Sequence, residues 1–346
     1  MRESIFSSSI RSFFIAFFAI MGLVLGIIPA MLLIGAIAGT SSAEAETIYT
    51  AEIVPNADGS RKTLSKESPV ILKLNIIGPI GVEGLTMHSV RTQLTESREG
   101  AFKDNRVKAI LLHIESPGGT VVDADGIYRA LKSYKEQYKV PVYAYVDGMC
   151  ASGGMYIAAA ADKIYASDIS LVGSIGVISP PFFNVANILT KYGVSSLTLS
   201  AGKGKDEMNP FREWKPDEQE TYQGILDYYY NHFIHVMTSN RTELDKTKLI
   251  NDFGAKVFPA EIAKEHGYID GSGYSLDATI KLLAHTIGIE DNYYQVVQLE
   301  KKIWYNELFG SNFKVFNGTV KHQIDLTPDL DAKLMNQFLY LYRPGM

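Results

Sequence analysis

Two hydrophobic regimes divide this chain. From Phe13 to Ala38 there are 26 residues without a charge, more than the roughly 20 that a helix needs to cross a bilayer. Arg2 and Arg11 precede the run, Glu44 and Glu46 follow it, and the next basic residue is Arg61. The positive-inside bias places the N-terminus in the cytoplasm and the body outside it. Pro29 kinks such a span without preventing it. A cleaved signal peptide is the alternative, since Ala43-Glu44-Ala45 resembles a cleavage site. The run is much longer than the usual apolar stretch of a signal peptide, so a retained anchor is expected.

From Val70 onward the apolar residues fall into short runs that alternate in type. Strands are expected at Ile48–Val54, Val70–Ile77, Val107–Ile114, Pro141–Val146, Lys163–Ala166, Ser174–Ile178 and Ser196–Ser200. Helices are expected at Met87–Phe102, Ala124–Tyr138 (with Asp123 as cap), Met155–Ala161, Phe183–Tyr192, Pro216–Asn240, Pro259–His266 and Leu276–Ile287. The near-continuous apolar run at 107–114 is typical of a strand buried on both faces of a parallel sheet. Alternation of strands and helices at these lengths implies βαβ units and an α/β class. The domain scheme is a cytoplasmic N-terminus (1–12), an anchor (13–38), a linker (39–68), a main domain (69–290) and a C-terminal extension (291–346). In the extension, Trp304, Tyr305, Leu308 and Phe309 are read as an apolar face for the body or a membrane.

Composition narrows the function. The net charge of -5 leaves no basic footprint, so nucleic acid is not expected as a partner. Cys150 is the single cysteine, which excludes an intrachain disulfide and a Cys-rich metal site. His232 and His235 lack a third ligand nearby, so no metal and no cofactor are expected.

Ser152 is the most informative residue. It stands in Asp147-Gly-Met-Cys-Ala-Ser-Gly-Gly-Met-Tyr156, between an apolar strand and a helix of small residues. A strand-to-helix turn of this kind exposes Oγ beside a free backbone N–H, as a nucleophilic serine requires. The plainer alternative is a helix N-cap. Upstream, Gly118 and Gly119 in Glu115-Ser-Pro-Gly-Gly-Thr120 follow a buried strand, at the edge where open α/β sheets bind ligands. With Gly153 they can offer N–H groups to an oxyanion. A base is also needed. No histidine lies between Gly153 and Asn231, whereas Lys203 and Lys205 sit in a glycine-rich loop. A lysine can act as base only if desolvation brings its pKa toward neutrality, and Ser174 is a candidate hydroxyl to position it. For these lysines a solvated surface loop is the plainer reading.

The blocks Ser116–Gly119 (SPGG), Met149–Ala158 (MCASGGMYIA), Gly173–Ile178 (GSIGVI) and Gly204–Arg212 (GKDEMNPFR) resemble, together and in this order, the signal peptide peptidase A family of Ser/Lys proteases. The resemblance spans residues 68–290 and the anchor before them. It implies a ClpP/crotonase-like fold of repeated ββα units with a spiral parallel sheet. It assigns the nucleophile to Ser152, the general base to Lys205 rather than Lys203, the lysine-orienting hydroxyl to Ser174, and the oxyanion donors to Gly153 and the Gly118–Gly119 turn. One set of motifs marks the short form, which implies a homo-oligomer, an octamer in similar chains, whose Ser and Lys come from adjacent subunits. The expected activity is cleavage of remnant signal peptides and other apolar peptides at the plasma membrane of a bacterium, on its extracytoplasmic side. A crotonase-type acyl-CoA enzyme and a non-catalytic membrane scaffold are the rival readings.

Overall fold

The computed structural model describes residues 13–23, 25–26, 49–65, 67–82, 84–289, 293–301 and 338–342. They belong to two units, Met1–Ile48 and Tyr49–Met346. In the first, residues 13–23 and 25–26 are helical. No helix among the described residues is long and apolar enough to cross a membrane, and positions 24 and 27–38 of the expected span lie outside them. The apolar face expected at Trp304–Phe309 also lies outside them.

The second unit is a mixed α/β body. Its sheet contains β1 (Tyr49–Val54), β2 (Val70–Ile77), β3 (Val107–Ser116), β5 (Val142–Ala151), β6 (Lys163–Ala166), β7 (Leu171–Gly173), β8 (Val257–Pro259) and β9 (Gln295–Lys301). A short strand, β4 (Gly118–Thr120), lies off it and pairs with β10 (Leu339–Leu341). The order is β1-β9-β2-β3-β5-β7-β8, with β6 also on β5. Pairing is parallel from β9 through β7 and antiparallel at both edges. β1 comes from the segment read as linker and β9 from the segment read as extension, so both add to the sheet of the main body.

Helices cover both faces. α1 (Met87–Glu96), α2 (Val121–Tyr138) and α3 (Gly153–Ala158) lie on one side, where Leu72, Leu74, Ile110, Leu112, Val142 and Ala144 meet Ile127, Leu131 and Ile157. Farther along come α4 (Ala186–Lys191), α5 (Glu220–Asn240), α6 (Ala260–Glu265) and α7 (Leu276–Thr286). Ile280, Leu283 and Ala284 of α7 pack on Ile71, Leu111 and Tyr143 from the opposite face. Alternate residues of β2 and β3 thus enter two cores, as expected of strands covered on both faces. α2 is amphipathic through Ala124, Ile127, Leu131 and Tyr134, at helical spacing.

Several expected boundaries move, each for a local reason. Thr120 rather than Asp123 caps α2, since the Thr120 side chain accepts from the Asp123 N–H at 3.2 Å. The expected helix 87–102 ends at Glu96, and a separate 3-10 turn covers Gly100–Phe102. β5 continues five residues past Val146 because β7 takes over from β6 as its neighbour at Met149. No strand forms over 174–178. Ser174 has φ 58 and turns the chain out of the sheet, leaving Ile178 as an isolated bridge. Residues 196–200 form no strand and are exposed. α5 starts at Glu220 rather than Pro216 and buries Phe233, Ile234, Val236 and Met237.

Candidate active site

Parallel β3 and β5 end side by side, with Ser116 opposite Cys150. β5 stops at Ala151, α3 starts at Gly153, and Ser152 makes the turn between them with φ 54 and ψ -115. A non-glycine residue in this region costs of order 1–3 kcal/mol. The surrounding structure enforces it: the Ser152 N–H donates to the Gly173 carbonyl at 2.9 Å, and the Ser152 carbonyl accepts from Tyr156 N–H at 3.0 Å. Ser152 thus holds the N-cap position, yet its hydroxyl caps nothing. That removes the plainer explanation for a serine here, because an N-cap serine is favoured for the bond its oxygen accepts. The residue is 1% exposed.

The neighbouring small residues are needed for close approach. A Cβ on Gly153 would stand 3.2 Å from the Gly119 nitrogen and 3.2 Å from the Tyr340 carbonyl oxygen. One on Gly154 would stand 3.1 Å from the Ser116 carbonyl oxygen. Gly118 has φ +100, and a Cβ there would collide with the Tyr340 carbonyl and lie 2.8 Å from the Gly153 nitrogen. The three glycines read as oxyanion donors, Gly118, Gly119 and Gly153, therefore share one corner with the head of α3. β4 is held there by Ile80, whose N–H donates to the Gly118 carbonyl at 2.8 Å and whose carbonyl accepts from Thr120 N–H at 3.0 Å.

Ser174 is brought close through the backbone. Gly173, which accepts from Ser152, precedes it, and Ser174 N–H donates to the Lys256 carbonyl at 2.7 Å. Ser174 is buried. Lys205 is not brought in. It lies in an exposed turn where its N–H donates to the Gly202 carbonyl at 3.3 Å, and among the described residues no side-chain bond joins it to Ser152 or Ser174. Asp206 and Glu218 clamp Arg212 beside it, the Nε–Oδ2 distance to Asp206 being 2.6 Å. The Arg212 guanidinium holds the Asp206 carboxyl below the usual carboxylate range.

Other titratable groups are set by burial. Cys150 is fully buried against Met155, and desolvation pushes its thiol far up, so it does not compete as a nucleophile. Tyr156 is raised by burial and by Asp125, whose Oδ1 accepts its hydroxyl at 2.9 Å. His113, on β3, has no hydrogen bond on either ring nitrogen. Its Nε2 is 3.8 Å from Asp147 Oδ2, and burial pushes its pKa down. Among the described residues no group of three His, Cys, Asp or Glu could hold a metal ion.

The sequence reading missed the tail. Residues 338–342 reach this corner and pair with β4, although the run Phe-Leu-Tyr-Leu-Tyr at 338–342 has the aromatic and aliphatic content of a strand.

A strained serine at a strand-to-helix turn, beside a glycine corner on a mixed α/β sheet, is an arrangement that suits an α/β serine-peptidase domain. Residues 134–288 match peptidase family S49. The chain is 32% identical over 219 residues to a putative signal peptide peptidase SppA of Enterococcus faecium, covering 60% of this chain and 61% of that protein. It is 34% identical over 203 residues to a putative protease of Synechocystis, covering 58% of this chain and 71% of that one. The chain belongs to peptidase family S49, with the SppA-type serine proteases. Among solved structures, a mutant ClpP1 from Listeria monocytogenes aligns with a TM-score of 0.39 at 16% identity, over 62% of this chain and 96% of that one.

Proposed function

We propose that this chain is a serine endopeptidase with a Ser152–Lys205 dyad, in which the lysine is supplied by a neighbouring copy. The observation that carries the reading is the strained Ser152 turn with its uncommitted hydroxyl. Ser152 Oγ attacks a peptide carbonyl, the amine of Lys205 takes its proton, and the resulting ammonium protonates the leaving amine. N–H groups of Gly153 and the Gly118–Gly119 turn hold the oxyanion, each donor contributing roughly 3–4 kcal/mol. Ser174 orients the lysine.

A shared dyad is supported by the exposed arm that carries Lys205. Phe183, Tyr192, Leu197, Leu199 and Phe211 are all more than half exposed, Leu197 and Leu199 at 84% and 86%. Large apolar side chains exposed in one segment are a common mark of an interaction surface. In a second copy's groove an ammonium would leave water, which favours the neutral amine. The reading also includes a ClpP/crotonase-like ββα spiral, an anchor at 13–38 in a bacterial plasma membrane, an extracytoplasmic body, and apolar peptides such as remnant signal peptides as substrates. The uncharged run supports the anchor, and strand addition along Gly118–Thr120 suits peptides.

The test is complementation. Ser152→Ala and Lys205→Ala should each abolish cleavage of a signal-peptide panel read by mass spectrometry. Mixing the two inactive proteins after dissociation should restore roughly a quarter of wild-type activity, because sites built across a heterologous interface recombine at random. No recovery on mixing would sink the shared dyad, and full activity in Ser152→Ala would sink the peptidase reading. An acyl-CoA enzyme would survive Ser152→Ala.

A further inference from the structure

Lys205 is followed directly by a carboxylate that the proposed mechanism does not use. An anion beside an ammonium holds the proton that a base must shed, so a free Asp206 would work against Lys205. The structure occupies this carboxylate on both oxygens. Asp206 Oδ2 accepts from Arg212 Nε at 2.6 Å, and Oδ1 accepts from Asn209 Nδ2 at 2.6 Å. Among the described residues the ion pairs of this arm are Arg212–Asp206 and Arg212–Glu218, and Lys205 is in neither.

Arg212 is itself fully committed. Its Nη1 donates to Glu218 Oε2 at 3.1 Å and to the Glu213 carbonyl at 2.9 Å. Its Nη2 donates to Glu218 Oε1 at 2.5 Å and to the Asp206 carbonyl. With Nε, all five N–H groups of the guanidinium have acceptors, a demand that no other side chain can meet. Glu218 is buried. The bond to Arg212 is the first reason that both carboxyls lie below the usual carboxylate range. The same fork fixes the turn, since it grips the side chain and the backbone of Asp206 together. Asn209 extends the hold by donating to Thr198 Oγ1 at 3.0 Å.

Other charges lie around the loop. Glu207 folds back over Gly204, with Oε1 2.8 Å from the place of a Cβ there. Lys215 acts on Asp206 with the same sign as Arg212. Lys203 and Glu213 share the loop, Lys191 and Tyr192 close α4, and Asp217, Glu220 and Tyr222 stand at the head of α5. All of these stay in place in every variant below, so they cancel in the comparison.

We propose that Arg212 is a positioning residue for the base: by masking Asp206 it keeps the neighbouring carboxylate from the Lys205 amine, and it fixes the turn that presents that amine. This rests on the Ser152–Lys205 reading above. Without the clamp, Asp206 is free to pair with the Lys205 ammonium at the end of its flexible stem. The proton is then held more tightly, and cleavage needs a higher pH.

The test is the pH dependence of kcat/KM for a fluorogenic apolar peptide, measured on full-length variants. Removing Arg212 alone would leave Glu218 as a buried unpaired charge, so Arg212→Gln is combined with Glu218→Gln. In this double variant the acid limb should move up by about one pH unit, the low end for an opposite charge gained at close range. At pH values below the limb that is roughly a tenfold loss of kcat/KM, recovered at high pH. Adding Asp206→Asn should return the limb to its wild-type position. Arg212→Lys keeps the charge but not the fork, and should shift the limb less in the same direction. A fall in kcat with no shift, or a shift that Asp206→Asn leaves in place, overturns the proposal. If thermal unfolding shows the double variant unfolded, Arg212→Lys carries the test, and an unmoved limb there overturns it equally. Lys205→Ala separates the two readings. If it is inactive at every pH while the limb stays put in the Arg212 variants, the clamp's role fails and the dyad stands. If it keeps wild-type activity, the dyad fails and the proposal with it.

Discussion

Gly118→Ala is the most exacting probe of the glycine corner. Two separate costs act at this residue. Its φ of +100 is strained for any residue with a Cβ, about 1–3 kcal/mol. In a body of this size each kcal/mol lowers Tm by roughly 2–4 °C. The added methyl also enters the corner, 2.8 Å from the Gly153 nitrogen and against the position of the Tyr340 carbonyl. An oxyanion can no longer reach the donors there, and loss of one such donor costs roughly a hundredfold to a thousandfold in kcat. Gly59→Ala separates the two effects, because Gly59 has φ +76 with nothing within 4 Å of its would-be Cβ. Gly118→Ala should lose more stability than Gly59→Ala by thermal unfolding, because its methyl must also displace backbone at Tyr340. Only Gly118→Ala should lose activity, read as kcat on a fluorogenic peptide. If it keeps wild-type kcat within about threefold, against the loss expected for a missing donor, the corner is not where the oxyanion forms. An equal activity loss in Gly59→Ala would show that strain alone is responsible.

Two further outcomes concern the scaffold. His113 is half-buried, with its pKa depressed mainly by desolvation. The unfolded chain therefore binds a proton more readily, so stability is fully present above about pH 6.5 and falls as pH drops through the lower folded value. His113→Gln should flatten the fall in Tm between pH 7 and pH 5, and an unchanged slope would count against the assignment. Ser275 caps α7 by accepting from Ala278 N–H at 3.1 Å. Ser275→Ala should cost about 1 kcal/mol by urea unfolding with peptide cleavage unaltered.

The core of the fold was legible because its signals are local. Six of the eight residues of β2 and six of the first eight of β3 are apolar, and both faces of these strands are covered. The Ser152 turn was legible because glycines and small residues must flank a chain reversal this close to β4. Ser174–Ile178 looked like a strand because its side chains suit one, but the backbone at Ser174 turns left-handed at φ 58, which no side-chain pattern announces. Residues 196–200 alternate like a strand yet have no sheet edge to join. β10 is only three residues long, too short for periodicity to register, and its partner β4 lies far away in sequence. For Lys205 the limit is different in kind: its setting depends on what covers an exposed arm, and one chain's residues do not specify that.

Cys150 has a practical consequence. It is the single thiol in the chain, it is fully buried, and desolvation keeps it protonated. Reactivity follows the thiolate, so the protein is chemically silent toward maleimides and iodoacetamide while folded. Alkylating agents can be left in a cleavage assay without touching the serine centre. A cysteine introduced on the Lys205 loop or at the end of the tail would then carry a spectroscopic label at one defined place. The approach of a second copy to the arm that carries Lys205 could be followed as a change in distance on the native background.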